Sequence, residues 1–383
     1  MTKAQLDSIS SANGLLTLAG AAECDVKMVQ INYQTSGVQL GEVSNASGAL
    51  MIPSGSGCSG PFPLAAFARG TNLEKNHTNA DTTDPSAELM MTFFAAHGYA
   101  VVATDYLGYA LSAYPYHPYM HANSEATAVI DSIRAARLAA PMLGLVLNGK
   151  VMISGYSQGG HSAMATQRAI EAADTGEFNL VASAPLAGPY YVSQALIHGV
   201  ATPINGVQDF VPFQIIAYQK IYGNVYSSTS DIFNAPYDSY IGNLLPSLLD
   251  ATTLASLLPS GTPDQNEHAM LKPAYLSDLA SNPSNPTIVA AAKQDLLGWN
   301  PKTPTTLCGG MGDPTVSFTV NAEAVYNDFL SRGLTNVSLV DVDPEIQAVY
   351  GKLNATTYNS YYHGMLEPPF CMKVARQFFD QYK

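Results

Sequence analysis

The stretch from Val151 to Gly160, VMISGYSQGG, runs from an apolar segment straight into a glycine-rich turn around one serine. Residues 155–159 match the pattern G-x-S-x-G, and a stretch with helical spacing follows from about His161 to Ala173. At such a strand-to-helix turn, small flanking residues allow a strained backbone that lifts the serine hydroxyl above the sheet. The helix N-terminus then lies beneath any negative charge that develops there. The pattern predicts a nucleophile at Ser157, with a purely structural turn as the alternative.

Strand-like and helix-like stretches alternate on both sides of this turn. Continuous apolar runs are typical of parallel strands that are buried on both faces of a sheet. Such runs lie at Pro63–Ala68, Tyr99–Thr104, Val151–Ser154 and Leu180–Ala184. Antiparallel strands are expected before them at Val26–Tyr33 and Gly48–Pro53, and helices at Ala87–Ala96 and from a Ser124 cap to Leu138. We therefore predict an α/β fold, a mostly parallel central sheet covered by helices on both faces.

The alternation stops between residues 189 and 300, where Pro, Tyr, Ser and Asn separate short helical pieces. It resumes with strands expected at Thr305–Cys308 and Val337–Val342. A long insertion inside an α/β chain is usually a lid or cap and not part of the sheet. We therefore predict a core formed by residues 1–188 and 301–383, with residues 189–300 as a cap.

Three residues, far apart along the chain, have the chemistry of a nucleophile, an acid and a base. A serine hydroxyl needs a base, which needs an orienting acid, and in this type of fold the chain order is nucleophile, acid, base. Asp313 lies in a tight turn after the first strand beyond the insertion, and only one of the eight histidines, His363, lies downstream of it. The order predicts a triad of Ser157, Asp313 and His363, with the histidine in a loop before the last helix. Asp341 and Asp343, one strand later, are the alternative acids.

Such a triad also needs two backbone N–H groups to hold the negatively charged oxygen of the tetrahedral intermediate. One is expected from Gln158, the residue after the nucleophile. The other is expected from Gly70 or Thr71, in the loop after the first parallel strand, with the turn Asp105–Gly108 as the alternative. The residues expected to contact the substrate are Tyr106, Tyr156 and Tyr190.

Over most of its length, the chain resembles the α/β-hydrolase family. The turn GYSQGG at 155–160, the segment GGMGDPTV at 309–316 and the late HG at 363–364 correspond to the family's triad positions. The closer resemblance is to the secretory lipase branch, which comprises lipase A-like enzymes and related bacterial esterases. It rests on DYLG at 105–108, the helix Ser124–Arg137, APLAGPY at 184–190 and the insertion that follows. The resemblance implies an extracellular carboxylic-ester hydrolase with its triad on Ser157, Asp313 and His363.

The amino-acid composition indicates a folded protein and argues against several classes of partner. Hydrophobic residues make up 47% of the 383 residues and charged residues 12%, which is ample material for a large core. The net charge of −13 repels phosphate backbones and anionic lipid headgroups. No apolar run reaches the roughly 18 residues that cross a bilayer. We expect a small-molecule or polymeric ester substrate, and no nucleic acid, stable membrane insertion, cofactor or metal. The oligomeric state stays open.

The four cysteines, Cys24, Cys58, Cys308 and Cys371, fall as one pair near each end of the chain. An even number in a chain of low charge favours an oxidising compartment, so we expect a secreted or periplasmic protein. Four buried free thiols are the alternative. Of the three possible pairings we favour Cys24–Cys58 and Cys308–Cys371, because the predicted fold brings each pair together.

The resulting hypothesis is a secreted serine esterase or lipase that cleaves uncharged, largely apolar esters through an acyl-enzyme on Ser157. The low charge of the insertion favours such substrates, with short-to-medium acyl esters ahead of phenolic esters, polyesters and long triglycerides. Two alternatives stay open. A serine peptidase acting on small peptides would use the same triad, and a non-catalytic binding protein could retain a hydrolase scaffold.

Overall fold

The computed structural model describes residues 1–383 and is built around one eight-stranded sheet. The strands are β1 (Asp25–Ser36), β2 (Val43–Ser54), β3 (Phe62–Ala68), β4 (Ala100–Tyr106), β5 (Leu147–Tyr156), β6 (Asn179–Leu186), β7 (Thr305–Gly309) and β8 (Val337–Asp341). Their spatial order is β1-β2-β4-β3-β5-β6-β7-β8. The β1–β2 and β2–β4 pairs are antiparallel, and every later pair is parallel. The predicted fold class is confirmed.

Fifteen α-helices surround this sheet. They are α1 (Lys3–Ala12), α2 (Leu16–Ala19), α3 (Pro85–Phe93), α4 (Ala122–Ala139), α5 (Gln158–Ala173), α6 (Val192–Ala201), α7 (Val207–Tyr222), α8 (Ala251–Ser256), α9 (Pro263–Met270), α10 (Pro273–Ser281), α11 (Pro286–Ala292), α12 (Ala324–Ser331), α13 (Asp343–Tyr350), α14 (Ala355–Tyr361) and α15 (Glu367–Phe379). None of these helices combines the length and the apolar character needed to cross a membrane.

Both faces of the sheet are buried, which explains the continuous apolar strands. On one face, Phe67 of β3 packs against Phe94, which in turn contacts Phe379 of α15 at a ring distance of 6.0 Å. On the other face, Leu64 of the same strand belongs to a separate cluster with Ile133 of α4. Because successive side chains of a strand point to opposite faces, a strand covered on both sides has no polar face to show in its sequence.

The segment between β6 and β7 contributes no strand to the sheet. It carries α6 to α11, and most of its buried residues form a hydrophobic cluster separate from those of the sheet. Tyr119 and Met120, from the loop before α4, join that cluster. The Tyr119 ring stacks on Phe213 of α7 with centroids 4.4 Å apart. The helices of this segment therefore pack over the end of the sheet where β4 leads into α4.

Three details differ from the sequence-based expectations. Helix α4 begins at Ala122 and is capped by His121, whose side chain accepts from the Ser124 amide, so Ser124 lies inside the helix and not at its cap. Helix α1, in the polar start of the chain, was not predicted, although Thr2 and Gln5 form a capping box there. Helices α13 and α14 were not predicted either, and they fill the stretch between β8 and α15.

The predicted cysteine pairing is confirmed. Cys24 is bonded to Cys58, and Cys308 is bonded to Cys371. The second bond joins β7 to α15, whose Cα atoms at these positions are 5.6 Å apart. It therefore holds the last helix against the strand that leads to Asp313.

Candidate active site

Ser157 occupies a strained turn between β5 and α5. Its backbone has φ 59° and ψ −122°, which is unusual for a residue with a side chain. The turn fits only because its neighbours are small. A Cβ on Gly159 would lie 1.8 Å from the carbonyl oxygen of Ala68 in β3. The Ser157 amide donates to Leu186 O at 3.0 Å, which ties the turn to β6. The side chain is thereby presented at the carboxyl end of the sheet.

The structure brings the three predicted triad residues into one hydrogen-bonded relay. The Ser157 hydroxyl lies 2.8 Å from His363 Nε2, and His363 Nδ1 lies 2.6 Å from Asp313 Oδ2. The other oxygen of Asp313 accepts from the Thr315 and Val316 amides at 2.8 and 3.2 Å. Burial by itself lowers the pKa of His363, but the charge and hydrogen bond of Asp313, together with the neighbouring Glu367, outweigh burial and raise it. The arrangement can take a proton from the serine hydroxyl and stabilise the resulting imidazolium.

The position of His363 differs from the expected loop. It lies in a π-helical turn, Tyr362–Leu366, that continues directly into α15. The alternative acids do not contact its ring. Asp341 accepts from the Met311 amide at 2.9 Å, and Asp343 accepts from the Tyr362 hydroxyl at 2.6 Å. Both carboxylates therefore brace the loop and the turn that carry the two triad residues.

A second carboxyl group, which was not predicted from the sequence, lies beside the imidazole. Glu367 Oε2 lies 3.6 Å from His363 Nδ1 and 2.9 Å from the Tyr156 hydroxyl, while its Oε1 has no hydrogen-bond partner. Burial, reinforced by the charge of Asp313, raises the pKa of Glu367. The spacing of four residues from His363 was the available signal. A spacing of four residues brings two side chains together only in a helix, and His363 was expected in a loop.

The predicted oxyanion donors also lie at Ser157. The Gln158 amide, the first of α5, makes no hydrogen bond within the chain, and neither do the amides of Gly70 and Thr71. A Cβ on Gly70 would lie 3.6 Å from Ser157 Cβ, so this loop passes close beside the nucleophile. In the alternative turn the amides of Tyr106 and Gly108 are occupied, by Thr104 Oγ1 and Ser112 Oγ respectively.

Two cavities meet at Ser157. The first has about 900 Å³ of empty space beneath α6 and α7, and the second has about 740 Å³ and is lined by His363 and Gly364. Ser157, Thr71 and Phe210 line both cavities. The apolar residues that line the first cavity include Val192, Leu196, Ile204, Val207 and Val211. An ester bound at Ser157 therefore has separate space for each of its two halves.

Of the three tyrosines expected to contact the substrate, only Tyr156 lines a cavity, the second one. The prediction is wrong for Tyr106 and Tyr190, which line neither cavity. Tyr106 is enclosed in the core, where its hydroxyl donates to Arg69 O at 3.0 Å. Tyr190 is fully buried in the cluster around Leu307. Both rings are therefore part of the packed interior and not of the cavity walls.

The comparisons with known proteins agree with this geometry. A family model described as "Secretory lipase" matches residues 75–187. The rice cell wall degrading esterase LipA from Xanthomonas oryzae is 37% identical, with a TM-score of 0.88 over 100% of this chain and 96% of that chain. The chain belongs to the secretory lipase family. The protein is a hydrolase that acts on esters, and family membership favours that activity over peptide hydrolysis.

More distant structures share the fold of this chain. A putative hydrolase from Legionella pneumophila is 22% identical, with a TM-score of 0.84 over 100% of this chain and 95% of that chain. Candida antarctica lipase A in its closed state is 15% identical, with a TM-score of 0.62 over 92% of this chain and 79% of that chain. None of the curated proteins matches the chain.

A buried polar network holds the side chain of Gln158. Its side-chain nitrogen lies 2.7 Å from Glu125 Oε1 and 2.7 Å from His117 Nε2. His117 Nδ1 in turn lies 2.9 Å from Leu107 O, so Nδ1 donates to that carbonyl and Nε2 accepts from Gln158. Glu125 also accepts from the Ser162 hydroxyl at 2.6 Å. The network orients the residue whose backbone amide faces the nucleophile.

Asp313, His363 and Glu367 are also a set of potential metal ligands, with atoms within 4.8 Å of one another. A metal would need a free ring nitrogen on His363. Both ring nitrogens are already engaged, Nδ1 with Asp313 and Nε2 with Ser157. The geometry of this set is therefore that of a proton relay.

Proposed function

We propose that this secretory lipase cleaves carboxylic esters through a covalent acyl-enzyme on Ser157. The observation that carries the proposal is the continuous relay from Ser157 Oγ to His363 Nε2 at 2.8 Å and from His363 Nδ1 to Asp313 Oδ2 at 2.6 Å. A hydroxyl bonded to an imidazole that is itself held by a carboxylate is the arrangement that activates serine.

The steps follow from the positions of these groups. The oxygen of Ser157 attacks the ester carbonyl while His363 Nε2 accepts its proton, and the carbonyl becomes a negatively charged tetrahedral centre. The imidazolium then returns the proton to the departing alcohol as the C–O bond breaks, which leaves an acyl-serine. Water attacks this acyl group in the same way, with His363 again accepting and returning the proton. The carboxylic acid leaves and Ser157 is restored.

The amides of Gln158 and of Gly70 or Thr71 hold the oxyanion. They support this role because they lie beside Ser157 and have no hydrogen-bond partners within the chain. The N-terminus of α5 adds its positive end to the same position. Because these donors are already in place, no reorganisation is needed when charge develops on the oxygen.

Glu367 is a positioning residue in this mechanism and acts as a neutral acid. The Tyr156 hydroxyl lies 2.6 Å from the His363 carbonyl and 2.9 Å from Glu367 Oε2, so it links the backbone of the base to the second carboxyl group. Two buried carboxylates close together cannot both ionise readily, and Asp313 is the one that accepts from two backbone amides.

The preferred substrates are uncharged, largely apolar esters. The apolar lining of the first cavity supports this preference, and so do α6 and α7, which contribute much of that lining. Residues 189–300 act as a cap over the site, and residues 1–188 and 301–383 form the catalytic core. The enzyme works outside the cytoplasm, in a secreted or periplasmic location. Two disulfide bonds and the secretory family support this location.

The test is the substitution Ser157→Ala, with Ser331→Ala, an exposed serine of α12, as the matched control. Turnover of p-nitrophenyl esters should fall by about 10⁶ in Ser157→Ala and stay unchanged in the control. A fluorophosphonate probe should label the wild type and the control but not Ser157→Ala. Wild-type ester hydrolysis by a folded Ser157→Ala protein would refute the mechanism.

A further inference from the structure

The first cavity contains a single carboxyl group, that of Glu267 on α9. The residue is only 4% exposed, yet neither carboxyl oxygen has a hydrogen-bond partner within the chain, and Oε2 is fully enclosed. No lysine or arginine lines the cavity. A buried carboxyl group without a partner costs folding free energy. Glu267 therefore costs folding free energy, and no contact within the chain offsets that cost.

A second polar atom without a partner lines the same cavity. Gln214 of α7 donates from its side-chain nitrogen to the Tyr218 hydroxyl at 2.9 Å, whereas its side-chain oxygen accepts no hydrogen bond. Burial raises the pKa of Glu267 to about 7, so near neutral pH its carboxyl group can either donate or accept. A ligand in the cavity can supply each of these side chains with the hydrogen-bond partner that it lacks.

The proton path assigns this cavity to the acyl half of the ester. The departing alcohol must lie where His363 can return a proton to it, and His363 lines the second cavity. Gln158, whose amide faces the oxyanion, lines the first cavity together with Ser157, and His363 does not. Once the alcohol has left through the second cavity, the acyl chain on Ser157 extends into the first.

We propose, on the basis of the function proposed above, that Glu267 selects acyl chains that carry a hydroxyl group. A hydroxyl group both donates and accepts, so it can donate to Glu267 when that group is ionised and accept from it when that group is neutral. In the neutral case its own proton stays free for another acceptor in the cavity, such as the side-chain oxygen of Gln214. The other polar ends of an acyl chain fit less well. A carboxylate would be repelled by Glu267 when that group is ionised, and an ammonium group would lose its hydration in a cavity that offers it at most one counter-charge.

The test compares p-nitrophenyl esters of straight-chain alkanoates with matched ω-hydroxyalkanoates of graded chain length. At the length that brings the hydroxyl group to Glu267, the wild type should show kcat/KM about tenfold higher for the hydroxylated ester. Glu267→Leu should reverse that preference and raise kcat/KM for the plain ester, because the carboxyl group no longer needs a partner. Glu267→Gln should keep part of the preference. Asp264→Asn, a change of an exposed acid on the same helix, is the control and should behave as the wild type.

The outcomes separate this proposal from the function on which it depends. If hydrolysis requires Ser157 but no chain length shows a hydroxyl preference, the selectivity of Glu267 is refuted while the mechanism stands. A preference that survives in Glu267→Leu refutes it as well, and so does a stronger preference for ω-aminoalkanoates. Hydrolysis that does not require Ser157 would overturn both proposals. Thermal melting of each variant confirms that the proteins compared are folded.

Discussion

The pair of buried carboxyl groups beside His363 allows a sharp test of the relay. Asp313 and Glu367 lie 2.6 and 3.6 Å from the same ring nitrogen. If both were ionised, the second charge would favour the imidazolium by about 5 kcal/mol, from Coulomb's law at 3.6 Å with an effective dielectric constant of about 20. That energy corresponds to a factor of more than a thousand in the protonation equilibrium of His363. The base would then keep its proton and could not accept that of Ser157.

Glu367→Gln separates the two possibilities because glutamine has nearly the same shape, is neutral and can still form a hydrogen bond with the Tyr156 hydroxyl. If Glu367 is a neutral acid, kcat/KM should stay within about threefold of the wild type, and the acid limb of the pH–rate profile should move by less than about half a pH unit. Asp313→Asn should lower kcat by about 10⁴, since it removes the carboxylate that orients the imidazole. The assay is hydrolysis of a p-nitrophenyl ester over a pH range of roughly 5 to 10.

The result that would refute this reasoning is a shift of the acid limb of Glu367→Gln to lower pH by a full unit or more. Such a shift would mean that the wild-type Glu367 is ionised and raises the pKa of His363, which the substitution would relieve. If Glu367→Gln lost much of its activity and Asp313→Asn lost little, then Glu367 would be the carboxylate that orients His363, and Asp313 the neutral acid. Unfolding temperatures of both variants show whether a loss of activity reflects loss of structure.

Three further predictions concern the fold that supports the site. Replacing both Cys308 and Cys371 by alanine should lower stability by about 4 kcal/mol, because their bond closes a loop with a sequence separation of 63; an unchanged denaturation midpoint would contradict this. Gly159→Ala should abolish activity or folding, since its Cβ would lie 1.8 Å from Ala68 O, and an active, soluble variant would argue against so close an approach of the turn to β3. Burial lowers the pKa of His117 to about 4. As pH falls below about 6.5, this histidine therefore takes up a proton in the unfolded chain but not yet in the folded one. Stability should therefore fall by about 3 kcal/mol between pH 6.5 and 4, and by less in His117→Gln, as urea denaturation would show.

Much of the fold could be predicted because its signals are local. Each buried strand shows as an apolar run, and the sharp turn at Ser157 shows as small residues on both sides of a serine. The candidate triad could be selected from chain order, because His363 is the only histidine after Asp313. The structure places these three residues in contact, as that order implies.

The parts that were missed depend on burial and on neighbours that are distant along the chain. Tyr106 and Tyr190 lie in the motifs DYLG and APLAGPY that suggested a site, but the direction of their rings depends on the packing of the core around them. Glu367 becomes meaningful only when Tyr362–Leu366 is helical, because that turn brings the carboxyl group to the imidazole. In the sequence, Glu267 is indistinguishable from an ordinary polar residue of a helix. Only the structure shows that it lines a cavity together with residues of α6 and α7.

The amino-acid order alone determined the strand and helix alternation, the strained turn at Ser157 and the chemical identity of the relay. These depend on side-chain size and backbone preference over a few residues. Only the tertiary structure decided which carboxyl groups share the imidazole, which tyrosines line the cavities at Ser157 and which acid faces the first cavity. The physical reason is that hydrogen bonding, desolvation and charge repulsion act through space. The contact between Ser157 and His363 spans 206 residues of sequence, a distance over which local patterns carry no information.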